Sequence, residues 1–521
     1  MDRLKKFYIN GILMTAVTLI ARYIAVNFNI YVSNKIGAVA MGVFTLITSV
    51  YGFALTLAVS GISLATTKLV SEALGNALGS ETTAKTTINS IMRKSLLLSV
   101  LVSSSVAFFL FAFSEAIGTR LLDDQRTVSS LKILAFSLPA IAVSSSLNGY
   151  FTAIRKVYKN AIVQIFSQFA RIALSVILLG YVMIDDMESA CIAIVLGTTL
   201  SEISAFIIHA VLYIIEKRKQ RSIALTDHIQ STAIGRKLLK ITVPVALSAY
   251  VRSALVTIEH LLIPWGIQKS GSSKDISLAA YGTIHSVVFP LVLMPSAISS
   301  SFAGLLVPEI SESNAMRDKE RIDRIVSRVL KTVLIYSIGT AGIMMCLSGE
   351  LGKTLFPESD AAKYIALISP LIPIMYLDTS VDAILKGLGH QFYCMVINII
   401  DASLSVILVW ILLPRFGIAG YVITVYFTEI VNAALSITKL LIVTKTKVKL
   451  FDWIAKPLVC IIATSNFFSL AFRHQGLIAT SRLSLFLCIT VIVIVYCILL
   501  ILTRAISPRQ IKTAVKNFIS A

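Results

Sequence analysis

Apolar stretches of about 20 residues recur along the whole 521-residue chain, and each is long enough to cross a hydrocarbon layer of ~30 Å. That one feature removes most folds from consideration. In lipid every backbone N–H and C=O must be bonded within the protein, so a spanning segment is a helix or part of a closed barrel. These runs are too long and too continuous for barrel strands, which alternate apolar and polar residues. Only 14% of the residues are charged and 56% are hydrophobic, whereas a soluble chain of this length carries charge at about a quarter of its positions. The pattern predicts an all-α membrane protein of about 14 transmembrane helices. Its spans fall at roughly 10–32, 43–67, 95–114, 132–152, 160–182, 189–214, 241–265, 279–304, 330–349, 364–385, 392–413, 418–440, 454–472 and 483–503. The first is read as a retained helix rather than a signal peptide: it is too long, carries Arg22 near its centre and lacks a small-residue cleavage site.

The net charge of +20 invites a nucleic-acid partner, but the position of the charges argues otherwise. With the N-terminus inside, the 47 Lys and Arg show a roughly threefold excess on the cytoplasmic side, which places both termini in the cytoplasm of a multi-pass protein. The basic charge is then topology and attraction to anionic headgroups. The six cysteines, Cys191, Cys346, Cys394, Cys460, Cys488 and Cys497, are scattered through apolar segments without paired spacing. They read as free thiols.

An internal repeat organises the chain. The first span carries Arg22 and, seven residues on, Asn29; the seventh carries Arg252 and, seven residues on, Glu259. Seven residues are two helical turns, so each pair shares one face. Leu69-Val70-Ser71-Glu72 after the second span matches Leu306-Val307-Pro308-Glu309 after the eighth, and Ser90 and Lys94 match Ser327 and Lys331. Further on, Pro139 and Asn148 match Pro373 and Asp382, and Gln164 matches Asn398. Six helices separate the repeats, so the halves share one orientation and are related by an axis along the membrane normal, with a cavity between them. The expected organisation is an N-lobe (1–215), a cytoplasmic linker (216–240), a C-lobe (241–441) in parallel pseudo-twofold relation to the first, and two C-terminal helices with a tail (442–521).

These residues resemble a known family. Gly11–Glu72, with Arg22 in mid-helix, Ile36-Gly37-Ala38 and Ser60-Gly61-Ile62-Ser63, is similar to the polysaccharide-export and lipid-flippase branch of the multidrug/oligosaccharidyl-lipid/polysaccharide (MOP) superfamily. Val307-Pro308-Glu309-Ile310-Ser311-Glu312, Leu385-Lys386-Gly387-Leu388-Gly389-His390 and Phe416-Gly417-Ile418-Ala419-Gly420 carry the same likeness. Within that branch the nearest likeness is to oligosaccharide flippases of the stage V sporulation protein B type. The resemblance implies transport of a lipid-linked sugar for the cell envelope, such as a spore-cortex peptidoglycan precursor, across the cytoplasmic membrane.

Charges within the spans name the candidate site. A charged group at mid-bilayer facing lipid costs from a few to more than ten kcal/mol, so it faces a cavity or a partner. Arg22 and Arg252 are repeat-related and are expected to reach the cavity from opposite lobes. A guanidinium presents planar paired donors suited to phosphate oxygens, so the pair is assigned to a diphosphate. The competing reading is internal neutralisation, with Glu259 as partner of Arg252. Asn29 and Glu259 are the accompanying cavity polar groups. Arg171 and Glu202 are expected to form an ion pair. Asp378, Asp382, Asn398, Asp401, Thr428 and Glu429 gather hard oxygen ligands in the tenth to twelfth spans and are candidates for Na⁺ or H⁺ coupling. Pairing of Asp382 with Lys386 is the competing reading there. Prolines 139, 244, 290, 295, 370 and 373 interrupt the spans, and Pro244, two turns before Arg252, suits a bend in a moving helix.

Enzyme motifs are absent. Gly352-Lys353-Thr354 imitates the end of a phosphate loop, but Leu347 stands where a glycine is required. No cofactor is implied beyond the coupling ion. The chain reads as a flippase acting by alternating access, with the bilayer and a lipid-linked sugar as partners, no nucleic acid, and envelope-synthesis proteins as candidate associates. A cation-coupled multidrug exporter of the same superfamily is the first alternative. A non-transporting scaffold for envelope synthesis is the second.

Overall fold

Among its described residues, 2–75, 81–181, 187–219, 231–357, 359–446, 448–470 and 481–505, the computed structural model is built of helices. Residues 220–230 of the expected linker, the tail from 506 and Met1 lie outside that set. The chain packs into two units, residues 1–28 with 39–265, and 29–38 with 266–521.

The first unit contains most of α1 (Asp2–Val59), α2 (Ile62–Gly75), α3 (Glu81–Ala112), the short α4 (Ser114–Ala116), α5 (Thr127–Ala135), α6 (Ser137–Ala153), α7 (Val157–Gly180), α8 (Met187–Lys219) and α9 (Ser231–Lys269) as far as Trp265. On α3 the usual arrangement is inverted. Ser95, Ser99 and Ser103, four residues apart, are completely buried, while Leu97, Leu101 and Phe108 are 61%, 58% and 67% exposed. A helix in water would turn those faces the other way. The buried serines join three helices: Ser95 Oγ meets Thr66 Oγ1 of α2 at 2.5 Å, and Ser146 Oγ of α6 lies 2.6 Å from Ser99 Oγ. Small hydroxyl residues let helix backbones approach where lipid removes the hydrophobic drive between them. Below this layer Leu69, Val70, Met92, Leu147, Phe151 and Leu238 form an apolar core.

The second unit contains residues 29–38 of α1, the end of α9, then α10 (Lys274–Gly282), a π turn (Thr283–Val288), α11 (Phe289–Leu293), α12 (Ser296–Ala315), α13 (Lys319–Cys346), α14 (Ser348–Leu355), α15 (Ala361–Ile368), α16 (Ile372–Gly387), α17 (Gln391–Phe416), α18 (Ile418–Thr444), a second π turn (Phe451–Ala455), α19 (Lys456–Phe468) and α20 (Arg482–Leu502). Its core joins Leu334 and Ile338 of α13, Ile384 of α16, Ile461 of α19 and Tyr496 of α20. Tyr496 closes the set by donating its hydroxyl to Ile335 O at 2.9 Å.

Among the described residues twelve helices are long and apolar enough to cross a membrane, against about 14 expected, and the difference has two sources. Residues 19–74 form one continuous stretch of 56 residues, about 84 Å if straight at 1.5 Å per residue, enough for two crossings. It bends at Gly37 (φ 79°) and turns at Gly61 (φ 78°). The thirteenth span is represented by α19, whose 13 residues precede the undescribed 471–480.

The two glycines differ in surroundings. A Cβ at Gly37 would meet nothing within 4 Å, whereas one at Gly61 would lie 2.7 Å from Thr242 O of α9. Gly37→Ala should therefore cost only the backbone penalty of about 1–3 kcal/mol, since φ 79° with ψ 170° is a conformation held almost only by glycine. Gly61→Ala adds a clash with backbone and should cost about 2–4 kcal/mol. Thermal unfolding in detergent reads the difference; equal losses at the two positions would contradict the close approach.

Most of the interrupting prolines turn out to sit where they cost little. Pro290, Pro370 and Pro373 occupy the first turn of their elements and Pro295 precedes α12, positions whose N–H has no helical partner. Pro244 and Pro264 lie inside α9 and Pro414 inside α17.

Candidate functional site

Two sets of polar groups stand out, one in each unit. In the first unit α9 is bonded to α1 along its length. Tyr250 Oη donates to Leu57 O at 3.0 Å, Ser253 Oγ to Thr56 Oγ1 at 3.1 Å and Thr257 Oγ1 to Ser49 O at 3.4 Å. Arg252 stands between the first two of these anchors, so its backbone is fixed while its side chain is exposed. Its guanidinium makes no hydrogen bond or ion pair among the described residues, and the neutralising contact with Glu259 is not formed. Glu259 and Arg22 are half-buried and each is engaged by neighbouring groups. Arg22 and Arg252 both belong to the first unit, Arg22 on α1 and Arg252 on α9.

Asn29 begins the part of α1 that packs in the second unit. Its Nδ2 donates to Ser286 O at 3.1 Å, inside the π turn, where a wider helical turn leaves backbone carbonyls in need of partners. Asn34 adds a second fastening, from Nδ2 to Leu355 O at 2.9 Å.

Arg171 differs from expectation. Its Nη2 donates to Gln168 Oε1 at 2.6 Å and its guanidinium lies 5.8 Å from the Phe28 ring, while Glu202 is within electrostatic reach rather than bonded. Gln168 precedes Arg171 by three residues on the same helix face and reaches it first. The Arg171 Nε is buried with no partner among the described residues.

In the second unit Asp378 of α16 is the centre. Its Oδ2 accepts from Asn432 Nδ2 of α18 at 3.3 Å, and Ser436, Asp382, Asp401 and Lys386 lie close enough to act on it. The Asp378 Oδ1 is buried and has no partner among the described residues. A carboxylate oxygen left bare in a protein interior costs several kcal/mol unless a proton or cation joins it. Asp382 pairs with Lys386 at 3.0 Å, as one reading of the sequence expected. Asn398 and Thr428 bond to their own helices, at Cys394 O and Thr424 O, and Asp401 and Glu429 are engaged by neighbouring groups.

Asn432 and Ser436 escaped the sequence reading, although their signal was present. Thr424, Thr428, Asn432 and Ser436 recur every four residues on α18, and all four are buried. In an apolar helix such a polar stripe marks a face turned toward protein rather than lipid. Among the described residues no group of three or more His, Cys, Asp and Glu side chains is arranged to hold a metal. A cation at Asp378 would therefore draw on the Ser436 hydroxyl and on the Asn432 amide, whose oxygen and nitrogen can exchange places by rotation. All six cysteines are free.

Comparison with known proteins gives the following. The family described as "Polysaccharide biosynthesis protein" matches residues 8–314, and the MatE family matches residues 268–411. Stage V sporulation protein B of Bacillus subtilis (strain 168) is 23% identical over 426 residues, covering 80% of each chain. The lipid II flippase MurJ of the same organism is 23% identical over 422 residues, covering 76% of this chain and 75% of that protein. Among solved structures, the lipid II flippase MurJ in an inward closed conformation superposes with a TM-score of 0.69 at 14% identity, covering 95% of this chain and 99% of that one. An inward-facing multidrug resistance MATE family transporter of the MOP superfamily gives 0.65 at 14% identity, covering 84% and 100%.

Proposed function

Because the chain belongs to the family described as polysaccharide biosynthesis protein, we propose that it is a flippase, not an enzyme. It would carry a polyprenyl-diphosphate-linked sugar for the cell envelope across the cytoplasmic membrane. The observation that carries this reading is Arg252: an arginine in an apolar span, rigidly mounted, exposed, and without a partner among the described residues. A charge so placed is maintained at a cost and needs an anionic occupant. With Arg22 it supplies the paired donors that a diphosphate accepts.

The architecture proposed is two six-helix lobes, 1–215 and 241–441, in parallel repeat, with the linker 216–240 and two helices in 442–521. The sugar headgroup is held at the arginines and the polyprenyl tail stays in lipid. Alternating access exposes the headgroup on the far side. Asp378 with Asn432 and Ser436 takes up Na⁺ or H⁺, and Asp382, Asn398, Asp401, Thr428 and Glu429 shape the surrounding field. Both termini face the cytoplasm. The likeness to stage V sporulation protein B supports a role in sporulation, that to the lipid II flippase MurJ supports a lipid-linked cargo, and envelope-synthesis proteins are the natural associates.

The MatE match over residues 268–411 favours one rival, a cation-coupled multidrug exporter. Arg22 and Arg252 weigh against it, since guanidinium groups repel cationic drugs. Ligand-induced stabilisation of the purified protein separates the two readings. A polyprenyl diphosphate at 100 times its dissociation constant should stabilise by ~2.7 kcal/mol and raise the melting temperature by a few degrees, while cationic dyes leave it unchanged. Stabilisation by dyes alone would favour the exporter.

A further inference from the structure

Two apolar runs in the second unit begin at lysines. On α13 the last charge is Lys331, and none follows before Glu350; on α19 Lys456 precedes an uncharged run through Phe468. The two helices pack together, with Trp453, Cys460 and Ile461 in the same core as Leu334, Ile335 and Ile338. Lys331 and Lys456 therefore mark one edge of the apolar layer, the depth at which lipid headgroups lie.

The lysines are gathered there. Lys331, Lys449 and Lys456 all act on a single carboxylate, Asp452, and Lys456 Nζ donates to Asp452 Oδ1 at 2.5 Å. That bond holds the Asp452 carboxyl below the usual carboxylate range, so it is ionised at neutral pH. Three ammonium groups against one carboxylate leave two positive charges unmatched within the cluster. The π turn Phe451–Ala455 adds an apolar element. It buries Trp453 at 4% exposure and leaves Leu450 and Phe451 65% and 71% exposed, with Lys456 Nζ 5.7 Å from the Phe451 ring. Positive charge at the edge of an apolar layer, beside an exposed apolar pair, matches a phosphate with acyl chains beneath it.

We propose that Lys331, Lys449 and Lys456 form a binding site for the phosphodiester headgroup of an anionic membrane phospholipid, whose acyl chains lie against Leu450 and Phe451. Lys449 and Lys456 belong to the C-terminal addition, and Lys331 of α13 to the C-lobe beside it. The site is separate from the arginines assigned to substrate and independent of that assignment.

The tryptophans provide the test, since the chain has three, Trp265, Trp410 and Trp453. In full-length protein carrying Trp265→Phe and Trp410→Phe, Trp453 reports the site alone. The protein is placed in phosphatidylcholine vesicles containing phosphatidylglycerol or phosphatidylcholine with brominated acyl chains, which quench nearby tryptophan. Brominated phosphatidylglycerol should quench at a mole fraction at least about fivefold lower, the worth of one surface lysine at ~1 kcal/mol. Lys449→Gln with Lys456→Gln should bring the two lipids to near parity, Lys449→Arg with Lys456→Arg should keep the preference, and Asp452→Asn should raise it. Millimolar inorganic phosphate should not relieve the quenching. Equal quenching in the parent protein, or a preference that survives the glutamine pair, would overturn the proposal. So would relief by a polyprenyl diphosphate at a far lower mole fraction than unbrominated phosphatidylglycerol, which would assign the cluster to substrate entry. The arginine pair and Asp452→Asn keep the test decisive if the glutamine pair folds poorly.

Discussion

Arg252→Ala should lower the flipping rate of a lipid-linked sugar by about 10- to 100-fold in reconstituted vesicles, and leave thermal stability within about 0.5 kcal/mol of the parent. The first figure is the worth of one charge-assisted contact to phosphate, ~1.5–3 kcal/mol. The second follows because the side chain is exposed and bonds to nothing among the described residues, so truncation leaves no orphan. Tyr250 and Ser253 hold the backbone on either side through their bonds to α1, so the mutation removes a donor without loosening its mount. Arg252→Lys should recover only part of the rate, since an ammonium keeps the charge but not the planar pair of donors. Arg22→Ala should show a comparable loss of rate. A large fall in stability with Arg252→Ala would mean that the arginine holds the fold, and an unchanged rate would remove it from the substrate.

Asp378→Asn should abolish the dependence of transport on Na⁺ or pH and slow transport at least about tenfold, without lowering the melting temperature. Asparagine keeps the shape and can still accept from Asn432, but it binds neither a proton nor a cation at the bare Oδ1 position. Removing an uncompensated buried charge relieves a cost of several kcal/mol, which is why stability should hold or rise. If Na⁺ is the coupling ion, it should stabilise the parent in proportion to the logarithm of its concentration and have no effect on the variant. Asn432→Ala should weaken this response by leaving Asp378 Oδ2 without its amide partner. Ion dependence that survives Asp378→Asn but vanishes in Asp401→Asn would move the site to α17.

Much of this was legible before the structure because the bilayer allows so few solutions. Hydropathy alone fixes helices, and α3 shows why the match is good: its Leu and Phe face is the outer one and its serines are the glue. The arginines stand out in the sequence because an isolated charge in an apolar run has few explanations, and their role in binding is the proposal made above. Other features depend on tertiary contact. Nothing in the spacing of Arg171 says that Gln168 will take its donor before Glu202 does. The packing of residues 29–38 of α1 with the second unit, and of α9 with the first as far as Trp265, is equally hidden, because a sequence repeat records which helices correspond and not which ones touch. Asn432 and Ser436 were overlooked for a simpler reason. Amides and hydroxyls carry no charge and attract little notice, yet their four-residue spacing with Thr424 and Thr428 already marked the inner face of α18.

What crosses the membrane decides between a flippase and an exporter. Purified protein in sealed vesicles, loaded with a fluorescent polyprenyl-diphosphate-linked sugar in both leaflets, allows each leaflet to be read by a reagent that attacks only the outer headgroups. With the parent protein the inner pool should become accessible at least about tenfold faster than in protein-free vesicles, and Arg22→Ala with Arg252→Ala should return the rate to the protein-free value. An inner pool that stays protected in the presence of active protein, while the same vesicles move cationic dyes, would contradict the account.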